Sequence, residues 1–251
     1  MSSSIGQPKQ ESDHRLHSFS EQRGIHVKFF TPLFLLVNAV GVTFLSLMGV
    51  WVHRSGGVKT ESGMAFNWHP ILMTIFLFLY GNGVLVYRLM RHKPKKYLKA
   101  IHATLNGLAG ICILVAVSFM FYNRRNSTKP NLYSLHSWIG FSTFLLYKFN
   151  FIFGLISFVV KSTPQWIRNL MMPFHTFIGQ ALLAMAVTAL MTGTLLKSRF
   201  TDWGDGKEHD MTQMTYVVNF YGFMIMLFAI LVGFLVIYSP FKRRPLVNES
   251  I

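Results

Sequence analysis

Residues 131–140 read NLYSLHSWIG. They follow a basic loop, NRRNSTK, and open a long apolar segment. His136 therefore sits a turn or two inside what should be membrane. An imidazole needs hydrogen-bond partners, and hydrocarbon offers none. Something other than water must engage its ring there.

The rest of the chain has the same character. Of 251 residues, 51% are hydrophobic and 13% charged, and mean hydropathy is +0.38. That is too apolar for a soluble domain of this length and reads as an integral membrane protein. The net charge of +15 does not point to nucleic acid, because the basic residues sit in short loops between apolar spans. One cysteine, Cys112, lies inside an apolar run, which excludes an intrachain disulfide and a thiolate metal site. The first 28 residues are polar and carry no classical signal peptide.

A spanning helix needs about 20 apolar residues. Such runs cover 29–52, 65–87, 100–123, 130–160, 169–196 and 211–241, the fourth interrupted only by Lys148. The expected fold is therefore all-α and integral to the membrane, with six transmembrane helices. Spans 2 to 5 form a four-helix core, and spans 1 and 6 flank it. Residues 1–28 read as a cytosolic tail, 29–241 as the six-helix domain and 242–251 as a second cytosolic tail. Charge sets this direction. With the N-terminus inside, fifteen Lys and Arg fall on the cytosolic side and eight outside. All nine acidic residues lie outside the spans, which argues against a proton pump or a cation-coupled transporter.

Of ten histidines, four lie within spans: His69, His102, His136 and His175, one on each of spans 2 to 5. His69 and His136 fall near the outer ends of their spans, and His102 and His175 near the inner ends. Each pair comes from alternate helices, which stand diagonally across a four-helix bundle. Two imidazoles facing each other with no carboxylate nearby suit a haem iron held from both sides. Zinc sites with two histidines normally add Cys or carboxylate ligands; copper is not excluded by ligand type. If the pairs lie about 5 Å inside a core of about 30 Å, two irons stand roughly 20 Å apart. Gly140 follows His136 by four residues and Gly179 follows His175 by four, so each shares its ligand's face and leaves room for a flat macrocycle. The same glycines also suit ordinary helix packing. Asn106 and Gly107 follow His102 in the same way, whereas Met73 follows His69.

In order along the chain, GVLVYR (83–88), KAIHATLN (99–106), NLYSLHSWIG (131–140) and MPFHTFIG (172–179) resemble the motifs of the cytochrome b561 family, six-helix ascorbate-dependent transmembrane reductases. The intervals between the histidines, 33, 34 and 39, are similar to the family's as well. The resemblance covers about residues 30–240. It implies two haem b groups, with His69, His136, His102 and His175 as iron ligands. It implies ascorbate as cytosolic donor, monodehydroascorbate or a ferric chelate as acceptor on the other side, and a homodimer, the state common in the family.

Residue by residue, the resemblance places Arg88 at the end of the VYR motif as a cofactor contact. Lys96, Lys99 and Arg168 take the place of cytosolic substrate residues. The inner loops are free of acid and rich in Lys and Arg, which suits an anionic donor and haem propionates; the same residues also suit topology and anionic lipid. His92 or a lysine is a candidate exit for the donor's proton. On the outer side many relatives carry a histidine where this chain has Arg124 and Arg125. An arginine pair favours an anionic acceptor over bare iron, with Tyr133 and Trp138 beside it. The other outer loop, TDWGDGKEHD (201–210), holds four acids and His209, a weak cation site or a solvated loop.

Lys148 lies 12 residues beyond His136, about 18 Å deeper and about 120° around the helix. A charge there is costly, so it is expected to snorkel to the inner boundary or to meet an inner haem propionate. Two other function classes remain open on sequence: a membrane haem anchor of a larger redox complex, and a transporter with structural histidines.

Overall fold

The computed structural model describes residues 7–58, 65–91, 93–125, 130–200 and 208–242, with side chains for 28–196, 214–238 and 240–242 among them. The chain is helical, and no strand occurs among the described residues. Six long helices follow in order among the described residues: α1 Gln7–Arg54, α2 Trp68–Leu89, α3 Lys95–Arg124, α4 Leu135–Phe158, α5 Gln165–Phe200 and α6 Glu208–Ile237, with short 3-10 turns at Ala65–Asn67 and Ser239–Phe241. Among the described residues, six helical stretches are long and apolar enough to cross a membrane.

Helix α1 starts well before the apolar run expected from residue 29. Its crossing part is Lys28–Arg54. The preceding QPKQESDHRLHSFSEQRG is rich in good helix formers, and Pro8 falls in the first turn, where a missing N–H costs nothing. The fourth helix is shorter than 130–160 because a turn precedes it. Leu132 has φ 55°, Ser134 is extended, and the Ser134 hydroxyl accepts from the Ser137 backbone N–H in a capping box. Gly56 and Gly57, at φ 90° and 77°, turn the chain after α1. The Asn67 amide ties that turn down by donating to the Ser55 and Gly57 carbonyls at 3.2 and 2.8 Å.

Helices α2 and α3 pack along each other as a hairpin, and so do α4 and α5. The hairpins meet along two thinner seams, α2 against α5 and α3 against α4, which closes a ring. The ring leaves α2 opposite α4 and α3 opposite α5. α1 and α6 pack together and lean on α2, with α6 also touching α5. Phe44 of α1 meets Phe228 of α6 edge to face at 5.2 Å, and the Thr74 and Tyr221 hydroxyls share a buried bond of 2.7 Å between α2 and α6. Large apolar side chains such as Phe177 and Ile237 stay on the outside. That surface suits lipid, not water.

Lys148 is exposed on the outward face of α4, beside exposed Leu145, Phe149 and Ile152. It stands ten residues, about 15 Å, from both Trp138 and Phe158. A lysine stem reaches about 6 Å, short of either interface. No described side chain pairs with it. Replacing it with leucine is therefore expected to stabilise the fold by about 2–3 kcal/mol, near the insertion cost of a central lysine. Thermal unfolding in lipid nanodiscs measures this. A lowered melting temperature would show that Lys148 has a stabilising partner.

Candidate metal centres

The four span histidines converge in two pairs, each drawn from opposite helices. The His69 ring of α2 faces the His136 ring of α4, with centroids 6.1 Å apart and planes at 89°. The His102 ring of α3 faces the His175 ring of α5 at 6.2 Å and 72°. The pairs lie at different depths. His102 reaches the Gly83 carbonyl on α2, 14 residues beyond His69, a helical rise of about 21 Å.

Each ring is anchored through the same atom. Nδ1 of His69 lies 3.0 Å from the Ala116 carbonyl, and Nδ1 of His102 lies 2.8 Å from that of Gly83. Nδ1 of His136 is 2.8 Å from the Ala189 carbonyl, and Nδ1 of His175 is 3.1 Å from the Asn150 side-chain oxygen. All four partners are oxygens that accept, so Nδ1 carries the proton in every ring. That tautomer leaves the Nε2 lone pair for another partner. Metal-bound histidines show this outer anchoring. Two metal–imidazole bonds of about 2 Å, plus two half-rings, span about 6 Å between ring centres, which matches both pairs. Among the described residues, no group of three or more His, Cys, Asp or Glu side chains comes together. Among them no four-ligand zinc site is available, whereas an iron carried by a macrocycle would need only two rings from the protein.

The hairpin α4–α5 makes room for two of the rings by glycine. A methyl at Gly193 of α5 would come within 2.8 Å of the His136 ring, and one at Gly154 of α4 within 2.8 Å of the His175 ring. Neither glycine, nor Asn150, was among the residues read from sequence. A signal existed. Gly154 lies 18 residues after His136, and Gly193 lies 18 after His175. Eighteen residues make five turns, so each helix shows its histidine and its glycine on one face, and antiparallel pairing sets one against the other.

The outer pair lines an apolar cavity of about 210 Å³ together with Met73 and Gly140. A methyl on Gly140 would meet nothing within 4 Å, so this glycine borders open space. Gly179 stands elsewhere: its carbonyl accepts from the Tyr80 hydroxyl at 2.6 Å. Asn106 donates from its side chain to the His102 carbonyl at 2.8 Å, and Gly107 faces Phe151.

Arg124 and Tyr133 line the mouth of the outer cavity. The Arg124 guanidinium lies 4.6 Å over the Tyr133 ring and donates to the Pro130 carbonyl at 2.8 Å. Arg125 is not part of that lining; its guanidinium lies 5.9 Å over Tyr122. Trp138 points outward and is 61% exposed. The side chains of 201–210 and His92 lie outside the described residues.

The inner basic residues divide. Lys99 donates to the Phe158 carbonyl at 2.8 Å, and Arg168 donates to the Val160 and Lys161 carbonyls at 3.0 and 3.1 Å. Both converge on the C-terminal end of α4, where cations are favoured, and where Phe158 packs 5.2 Å from the His175 ring. The Arg168 Nε is buried with no partner. Lys96 instead lies 5.0 Å over Tyr97 and is exposed. Arg88 donates to the Val236 carbonyl at the end of α6. Arg91 lies 5.6 Å over Phe30, and burial pulls its guanidinium below the ordinary value.

A sequence profile described as eukaryotic cytochrome b561 matches residues 68–201, which spans α2 to α5 and both pairs. The plasma membrane ascorbate-dependent reductase of Mus musculus is 34% identical over 224 residues, covering 86% of this chain and 77% of the relative. The lysosomal membrane ascorbate-dependent ferrireductase of Homo sapiens is 30% identical over 215 residues, 83% of this chain and 89% of the relative. The transmembrane ascorbate-dependent reductase of Ovis aries is 30% identical over 213 residues, with 84% and 83% covered.

Proposed function

Because this chain belongs to the eukaryotic cytochrome b561 family, we propose that it carries electrons from cytosolic ascorbate across a membrane to monodehydroascorbate or a ferric chelate. It is a transmembrane oxidoreductase of the ascorbate-dependent class to which its relatives belong. Two haem b groups serve it, one between His69 and His136 and one between His102 and His175. The observation that carries this reading is the pairing itself: at two depths, two rings face each other with Nδ1 anchored.

Haem held by His69 with His136, and by His102 with His175, would supply a one-electron couple at each level. The residues divide the remaining work. Lys99 and Arg168, at the end of α4, present positive charge to an ascorbate monoanion on the cytosolic face. Lys96 lies further out and attracts it from solution. Arg124, held over Tyr133, selects for negative charge at the outer mouth. Arg88 ties α2 to α6 and supports the inner end of the bundle. Both termini are assigned to the cytosol on the distribution of Lys and Arg.

Reduced-minus-oxidised spectra of the purified protein, with ascorbate as reductant, test the proposal. A b-type band that ascorbate reduces is expected; its absence sinks the reading. A second measurement addresses the outer mouth. Replacing Arg124 with glutamate is expected to slow reduction of a carboxylate-bearing ferric chelate by about tenfold at low salt, with the gap narrowing as salt rises. Equal rates for the two proteins at low salt would remove Arg124 from acceptor binding.

A further inference from the structure

Each histidine pair takes one ring from each hairpin. His69 and His102 belong to α2–α3, and His136 and His175 to α4–α5. Any slide of one hairpin along the other therefore pulls both pairs apart at once. Yet the seams between the hairpins are the thinner contacts of the core. Some feature must fix their register.

Two tyrosines cross those seams. Tyr80 of α2 donates its hydroxyl to the Gly179 carbonyl of α5 at 2.6 Å. Tyr147 of α4 donates to the Asn106 carbonyl of α3. The two bonds are equivalent under exchange of the hairpins. Tyr80 lies 11 residues after His69 and Tyr147 lies 11 after His136; Gly179 lies four after His175 and Asn106 four after His102. The ring anchors obey the same exchange: Ala116 and Ala189 each lie 14 residues after the inner histidine of their own helix. Eleven residues are three turns, so each tyrosine stands on the face of its own outer histidine, about 16 Å deeper. That places both between the two levels of histidines.

Both side chains are almost fully buried, at 3% and 4% exposure. Their rings meet edge to face at 5.6 Å. Phe76 stacks on Tyr80 at 5.7 Å and meets Tyr147 edge-on at 5.1 Å. A buried hydroxyl must find an acceptor. A serine or threonine in a helix satisfies itself on the preceding turn, as Thr143 does on Ile139 here. A tyrosine hydroxyl sits too far from its own backbone for that. It reaches the neighbouring helix and takes the second lone pair of a carbonyl already bonded within that helix.

We propose that Tyr80 and Tyr147 are positioning residues: a paired clasp that fixes the register of the two hairpins and so sets the approach of the imidazoles at both levels. The inference rests on the pairs holding haem. Phenylalanine keeps the ring and removes only the bond, so it separates the clasp from simple packing. The test uses the full-length protein carrying its haems, as wild type, Tyr80→Phe, Tyr147→Phe and the double variant. Two readouts other than turnover apply: the low-spin ferric EPR g values, which report how the axial imidazoles are oriented, and the rate of haem transfer to excess apomyoglobin. Haem loss is expected to speed up about fivefold per hydroxyl removed, the worth of one hydrogen bond. Each single variant is expected to shift the g values of both haems, because each bond joins an outer-ligand helix to an inner-ligand helix. Phe variants with unchanged g values and haem loss within about twofold of wild type overturn the clasp alone. Wild-type protein without two low-spin signals overturns the haem reading and the clasp with it.

Discussion

Replacing His136 with alanine is expected to remove one haem and leave the other. The outer site then keeps only His69, and a single imidazole across a cavity does not close the axial pair. The inner pair stands about 21 Å away and keeps its own anchors on Gly83 and Asn150. The haem-to-protein ratio should therefore fall from about two to about one. The remaining haem should still be reduced by ascorbate added on the cytosolic side. Reduction of an outer acceptor by ascorbate-loaded vesicles should drop by at least about a hundredfold, since a required site for electron exit is gone. His102→Ala gives the mirror result, with loss of the haem nearer ascorbate. The measurements are haem content by pyridine haemochrome, the ascorbate-reduced spectrum, and acceptor reduction in vesicles. Retention of both haems in the His136→Ala protein would break the assignment of the outer pair.

The second large effect comes from glycines that no chemistry marks. At Gly154 an alanine methyl would lie 2.8 Å from Cε1 and 3.2 Å from Nδ1 of His175. In an isolated helix, alanine gains about 1 kcal/mol over glycine. Here overpacking opposes it by about 1–3 kcal/mol, because the crowded atoms belong to a ring held at Nδ1 by Asn150 and not to a flexible chain end. The ring must turn, and the inner pair loses its spacing. Gly154→Ala is expected to lose most of the inner haem, and Gly193→Ala, whose methyl would meet His136 at 2.8 and 2.9 Å, most of the outer one. Gly140→Ala is the comparison. Its methyl meets no protein atom within 4 Å, so without haem the helical fold should be kept and should gain the helix propensity of alanine, about 1 kcal/mol. Full haem content in Gly154→Ala, together with a raised melting temperature, would mean that propensity wins and that the close approach is not needed.

Much of this architecture is written in periodicity and charge. Six apolar runs fixed six helices because hydrocarbon forces every backbone group into a helix's own hydrogen bonds. The depth of His69, His102, His136 and His175 followed from their distance to the run ends, and alternate helices in a ring must face across it. Boundaries were less legible. The turn at Leu132 and the Ser134 cap shorten α4, and the polar start of α1 continues as helix without an apolar signal.

Side-chain destinations were the least legible. Arg88 completes the VYR motif, yet its guanidinium ends on the Val236 carbonyl of α6, a residue 148 positions away. Arg124 and Arg125 are neighbours in sequence, but only Arg124 lines the outer mouth, because successive residues of a helix point about 100° apart. Lys148 faces outward, and by helical rise its stem falls short of either end of α4.

The amino-acid sequence by itself determined the membrane class, the number of helices and the two levels of histidines. All three depend on distance along a helix, which sequence counts directly. Only the tertiary structure decided which atom anchors each ring, which glycines clear space for the rings, and which tyrosines join the hairpins. Those depend on the rotation and seating of one helix against another, and that is settled by packing between residues far apart in the chain.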